Sequence, residues 1–131
     1  MKVVFDTNVL VAALVFPGGR GEKALRRILE EQDALLLSKP ILDELLGVLA
    51  RKFARDPEEL ARAAVFLADL ATMVKPGRRL SVLADEPDNR ILECALAGSA
   101  GAIVTGDRAF LALREYRGVP ILGLGAYLDK P

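Results

Sequence analysis

Four carboxylates stand where a parallel sheet would gather them. Asp6 closes the apolar run Lys2-Val3-Val4-Phe5, and Asp107 closes Ala102-Ile103-Val104-Thr105-Gly106. Glu44 and Asp88 fall in the opening turns of two helical stretches, the first of which follows the short apolar run Ala34 to Leu37. An open parallel sheet binds its ligands beyond the carboxyl ends of its strands. Helix starts that follow strands lie at that same edge, so all four acids are expected on one rim. Carboxylates crowded together repel one another and resist ionisation, and a cation is the usual remedy. The chain has no His and one Cys, Cys94. An all-oxygen ligand set selects a hard ion, Mg²⁺ or Mn²⁺, over zinc or copper. Such ions bind phosphates and activate water, which makes phosphodiester hydrolysis the natural chemistry.

Taken singly, three of the acids have plain structural readings. Asp107 suits the cap of a following helix, Asp88 a first-turn acid that complements a helix dipole, and Glu44 an exposed helix position. Asp6 has no such role. It follows a buried apolar strand and precedes Thr7, Asn8 and Val9-Leu10-Val11, so its carboxylate is either bonded at a cost or functional.

The elements that must position these groups alternate along the chain. Strands are expected at residues 2–5, 34–37, 102–105 and 119–122. A glycine-rich loop is expected at Pro17 to Gly21, and helices over Glu22 to Gln32, Ser38 to Phe53, Pro57 to Met73, Pro87 to Ser99, Arg108 to Tyr116 and Gly125 to Lys130. Asp56-Pro57-Glu58-Glu59 reads as a helix start with a capping box. Leu80 to Leu83 fits a brief strand or a linker. The pattern predicts an α/β fold, a three-layer α/β/α arrangement around a mostly parallel sheet of four to five strands. With no linker long enough to divide it, the chain of 131 residues reads as one domain, 1–131.

Composition bounds the function further. Without His, a Ser-His-Asp triad, a His-based ribonuclease site and a His-ligated zinc site are excluded. Acids and bases balance at eighteen each, which gives no basic excess of the kind dedicated nucleic-acid binders carry. No basic leader followed by a long apolar stretch and no membrane-length run is seen, and the expectation is a soluble, cytoplasmic protein.

Four blocks together match a known family. Val4-Phe5-Asp6-Thr7-Asn8-Val9-Leu10, Ser38-Lys39-Pro40-Ile41-Leu42-Asp43-Glu44-Leu45, Asp85-Glu86-Pro87-Asp88-Asn89-Arg90-Ile91-Leu92 and Ile103-Val104-Thr105-Gly106-Asp107 occur in the order and spacing of the PIN domain, which the chain resembles over nearly its whole length. Each block alone is weak, and the four together are a strong signal. The resemblance implies a divalent-metal-dependent endoribonuclease in which Asp6, Glu44, Asp88 and Asp107 ligate one or two Mg²⁺ or Mn²⁺ ions. It also implies that Asn8, Thr105 and Asn89 support those ligands. Many small bacterial members are toxins of the VapC type, held inactive by an antitoxin protein and usually dimeric, so RNA, an antitoxin and a second copy are the implied partners. Asp85 and Glu86 are spare carboxylates beside Asp88.

Two features lie outside that pattern. The stretch Ala63-Ala64-Val65-Phe66-Leu67-Ala68 covers most of a helix's circumference with apolar residues. It is expected either to pack on a partner or to be an unusually buried internal helix. Arg20, Arg51 and Arg108 are candidate RNA contacts, with Lys52, Arg55 and Arg90 as further members of a basic rim. A haloacid-dehalogenase-like phosphatase also begins with a strand ending in Asp, but it needs a second Asp two residues on, where this chain has Asn8. A receiver domain needs a phosphoacceptor Asp on a central strand and a late Lys, and neither stands in a convincing place. A catalytically dead binding or regulatory module on the same scaffold would be expected to have lost ligands, and here the acidic set is intact.

Overall fold

The computed structural model describes residues 1–131. Its strands are β1 (Lys2–Phe5), β2 (Ala34–Leu37), β3 (Thr72–Met73), β4 (Ala102–Val104), β5 (Glu115–Tyr116) and β6 (Val119–Leu122). They form one six-stranded sheet in the order β3-β2-β1-β4-β6-β5, parallel except for β5 against β6. The sheet therefore has six strands where four to five were expected. The additional ones, β3 and β5, have two residues each, too short to leave a periodic signal.

The helices are α1 (Thr7–Val15), α2 (Arg20–Leu29), α3 (Lys39–Phe53), α4 (Pro57–Leu70), α5 (Glu86–Ala97), α6 (Arg108–Leu111) and α7 (Leu124–Leu128). They flank the sheet in an α/β/α arrangement, with α5 lying across β1, β2 and β4, and α1 packed on α2 and α3. The central strands are buried on both faces. Val3, Val4, Leu37 and Ile103 are fully covered, as continuous apolar runs in a parallel sheet should be. No helix is long and apolar enough to cross a membrane.

Several elements depart from the sequence expectation for identifiable reasons. Helix α2 starts at Arg20, within the expected loop. Gly21 permits this, because a Cβ there would stand 2.7 Å from the Ala13 amide nitrogen, so only glycine lets α2 approach α1 so closely. The helix expected to reach Tyr116 ends at Leu111. The chain then turns through Arg117 (φ 48°) and Gly118 (φ 84°) into an antiparallel hairpin, the two left-handed central residues that a tight hairpin turn requires. Leu80 to Leu83 is a linker without strand pairing.

Helix α4 begins with the expected capping box. The Glu59 amide donates to Asp56 Oδ1 at 2.8 Å, and the Asp56 amide donates to Glu59 Oε1 at 3.2 Å. Its interior is not an internal helix, however. Only Leu67 is fully buried, while Val65 and Phe66 are 61% and 39% exposed.

Candidate active site

Strands β2 and β4 lie on opposite sides of β1, so the sheet's order switches direction beside it. A crevice opens at such a point beyond the strand ends. Phe5 pairs with Val104 in the register, and the Asp6 amide continues the ladder by donating to the Val104 carbonyl at 2.9 Å. Asp6 and Thr105 thus leave neighbouring strands side by side. The Thr105 hydroxyl, fully buried, donates to Asp6 Oδ2 at 2.6 Å and accepts from the Asp107 amide at 3.0 Å. One threonine therefore fixes the orientation of the first acid and the backbone of the fourth.

Asp88 enters from the first turn of α5. It is buried, and it lies within electrostatic reach of both Asp6 and Asp107. Asp6 and Asp88 resist ionisation in consequence. Burial raises the pKa of Asp6, opposed by the Thr105 hydroxyl and the Thr7 amide, and the charge on Asp107 raises it further. Asp88 is pushed up to about 7, first by burial, then by repulsion from Asp6, Asp85 and Asp107 and by a hydrogen bond shared with Asp107. Asp107 also caps α6, accepting from the Ala109 amide at 3.2 Å, as the cap reading expects.

Glu44 is half-buried on α3. It lines a cleft of about 330 Å³ together with Thr7, Ile41, Arg79, Glu86 and Arg90. The cleft is continuous in sequence with the other acids, since Thr7 follows Asp6 and Pro87 precedes Asp88. No group of three or more carboxylates closes into a ready-made metal cage. The donor set nevertheless fits a hard cation. It is all oxygen, Asp6, Asp88 and Asp107 lie within electrostatic reach of one another, and two of its members are held away from ionisation with no basic side chain bonded to them. A bound divalent ion would supply that missing positive charge.

The remaining expected residues divide. Thr105 supports the acids directly. Asn8 supports Asp6 through its backbone amide, and its side chain is exposed. Asn89 does not support the acid trio. It is buried, its Oδ1 accepts from the amides of Val82 and Leu83, and its Nδ2 donates to the Leu83 carbonyl and to Glu86. Arg90 is no free rim cation, being buried between Glu93 at 2.9 Å and Glu86 at 3.3 Å. Arg51 is exposed, with its guanidinium folded back over Gly47, and does not line the cleft. It lies seven residues beyond Glu44, roughly 10 Å along α3. Arg20 lies beside Gly125 at the start of α7, and Arg108 is exposed next to Asp107. Arg79 was not anticipated. Its only sequence signal is the pair Arg78-Arg79 after Pro76-Gly77.

Comparison with known proteins agrees with this fold. The sequence model of a family described as the PIN domain matches residues 2–109. An uncharacterised protein of Methanocaldococcus jannaschii is 31% identical over 119 residues, 88% of this chain and 76% of that protein. Among solved structures, VapBC2 from Rickettsia felis, bound to a DNA fragment from its promoter, superposes with a TM-score of 0.66 at 15% identity, covering 94% of this chain and 98% of the other. VapC20 of Mycobacterium tuberculosis, a sarcin-ricin loop cleaving toxin, gives 0.64 at 15% identity over 90% and 98%. VapBC-1 from nontypeable Haemophilus influenzae gives 0.62 at 16% identity over 95% and 99%. At such identities the structural likeness is one of fold.

Proposed function

We propose that this chain, which belongs to the PIN-domain family, is a divalent-metal-dependent endoribonuclease and the toxin of a toxin–antitoxin pair. The observation that carries this reading is the convergence of buried Asp6 and Asp88 with half-buried Asp107 at the switch point of the sheet, Asp6 and Asp88 having no basic side chain bonded to them. Asp6, Glu44, Asp88 and Asp107 would hold one or two Mg²⁺ or Mn²⁺ ions. When bound, such an ion activates water and offsets the charge that develops on a phosphodiester under attack.

The chain's own groups prepare that site. Thr105 locks the Asp6 carboxylate through its hydroxyl, and Asp107 is anchored by its own amide. Burial and the neighbouring acids push Asp88 up to about 7, and a bound cation would favour its charged form. Glu44 and Thr7, the first residue of α1, line one cleft. RNA as substrate is supported by the activity named for the toxin VapC20, whose fold this chain shares.

An antitoxin or a second copy would be received on α4. Val65 and Phe66 are exposed there, and the adjoining groove is lined by Leu14, Val15, Leu49 and Ala63. The protein would act as a single domain in the cytoplasm.

The test is cleavage of a generic single-stranded RNA with Mg²⁺, with Mn²⁺ and with EDTA. Cutting with either ion and none with EDTA is expected. No cutting under any condition by correctly folded protein, on this RNA and on total cellular RNA, would favour a scaffold that binds without hydrolysing.

A further inference from the structure

Residues 74–85 link β3 to α5 and form neither strand nor helix, yet three buried side chains of α5 hold their backbone. The Leu80 amide donates to Glu93 Oε2 at 2.7 Å, and the Leu80 carbonyl accepts from Arg90 Nη2 at 2.9 Å. Asn89 bonds Val82 and Leu83. Arg90 and Glu93 are themselves ion-paired at 2.9 Å. A buried ion pair does little for stability by itself, and Arg90 Nε has no partner, but the pair sets Glu93 and Arg90 against the Leu80 amide and carbonyl. These contacts fix the path of a strap.

The strap carries Arg78 and Arg79, both exposed. Arg26, Arg27, Arg55, Arg62 and Arg90 are each paired with a carboxylate, whereas these two make no ion pair. Arg79 lines the cleft that holds Glu44 and Thr7, and with Arg78 and Pro40 it also lines an adjoining hollow of about 260 Å³. A free guanidinium at the mouth of a carboxylate-lined cleft, on a backbone tied down from beneath, suits an anion that reaches the cleft from outside. Its planar donors match a phosphate.

We propose that Arg79, with Arg78 behind it, holds an RNA phosphate adjoining the one that is cut, and that Asn89, Arg90 and Glu93 serve to hold the strap in place for this contact. The proposal rests on the ribonuclease reading of the site. It assigns the cationic side of substrate binding to a segment with no secondary structure rather than to Arg51.

The test uses fluorescence anisotropy of a short single-stranded RNA over a series of KCl concentrations, in an Asp6→Asn background that blocks cutting. Adding Arg79→Gln should weaken binding by about 3- to 10-fold and lower the salt slope by about 0.7, the value for one phosphate contact on a single strand. Arg79→Lys should keep the slope. So should Arg26→Gln, which neighbours Arg27 at the opposite edge of the sheet. In the cutting-competent chain, Arg79→Gln should raise KM with little change in kcat. Unchanged affinity and slope for Arg79→Gln in a chain that cuts RNA would overturn the role of Arg79 alone. A chain that binds RNA through Arg79 but never cuts it would overturn the ribonuclease reading and sustain Arg79 as a phosphate ligand.

Discussion

Asp6 and Asp33 are buried to a similar degree, 4% and 9% exposed, at opposite ends of the same central strands. Asp33 precedes β2 and is surrounded by donors. The Met1 amine reaches its Oδ1 at 2.9 Å, while the Tyr127 hydroxyl at 2.7 Å and Arg27 at 3.2 Å reach its Oδ2. Burial pushes the Asp33 carboxyl up, but these hydrogen bonds outweigh it and hold the group below its ordinary range. Asp6 has a threonine and backbone amides for donors and other acids for neighbours, and it stays raised. The amino-terminal edge has been satisfied from within the chain. At the carboxyl-terminal edge Asp6 has no basic side chain among its partners. Burial alone does not mark a functional acid; the lack of an internal counter-charge does.

The comparison breaks most visibly in catalysis. Asp6→Asn should lower RNA cleavage by more than about 100-fold, the scale for loss of a group that stabilises a transition state. Asp33→Asn should leave the rate per folded molecule nearly unchanged. Single-turnover cleavage at a temperature where both variants are folded checks this.

Stability should run the other way. Asp33→Ala leaves Arg27 without its buried partner and should cost about 3–5 kcal/mol in urea unfolding. Asp88→Asn removes a carboxylate the metal-free fold does not favour, and should stabilise that form by about 1–3 kcal/mol at pH 7.5.

The two edges should also answer pH with opposite signs. Asp88 titrates at about 7 when folded, against an ordinary 3.8. Between those values the folded protein binds more protons than the unfolded chain, so the Asp88 contribution is fully present below pH 3.8 and is lost as pH rises through 7. Asp33 is depressed, so its contribution is present above 3.8 and is lost as pH falls through its lower folded value. Metal-free unfolding from pH 3 to 8 should show both limbs. Asp88→Asn should flatten the upper limb, and Asp33→Asn the acid one. The smallest change expected is Tyr127→Phe, which removes one donor from Asp33 and should cost about 1 kcal/mol in the same assay.

The nearness of Asp6 and Asp107 was legible in the sequence, because acids that close neighbouring parallel strands come out at the same edge of the sheet. Asp6 and Asp107 were placed by that rule, and Thr105 by its match to a polar position in the family's fourth block. Asn89 misled, since adjacence to Asp88 in sequence puts it about 100° round α5, facing the strap instead. Helix α1 left no separable signal, as nine residues of mostly Val, Leu and Ala read equally as strand or helix. The apolar stretch of α4 gave its composition but not what covers it. Arg79 was invisible because nothing periodic governs residues 74–85; their path is set by side chains of a helix that comes later in the chain.

The most direct test of the central claim is Mn²⁺ binding by calorimetry at pH 7.5 for the wild type, Asp6→Asn and Asp33→Asn. Binding with proton release is predicted for the wild type and Asp33→Asn, with none for Asp6→Asn. Undiminished binding by Asp6→Asn, or its loss in folded Asp33→Asn, would contradict it.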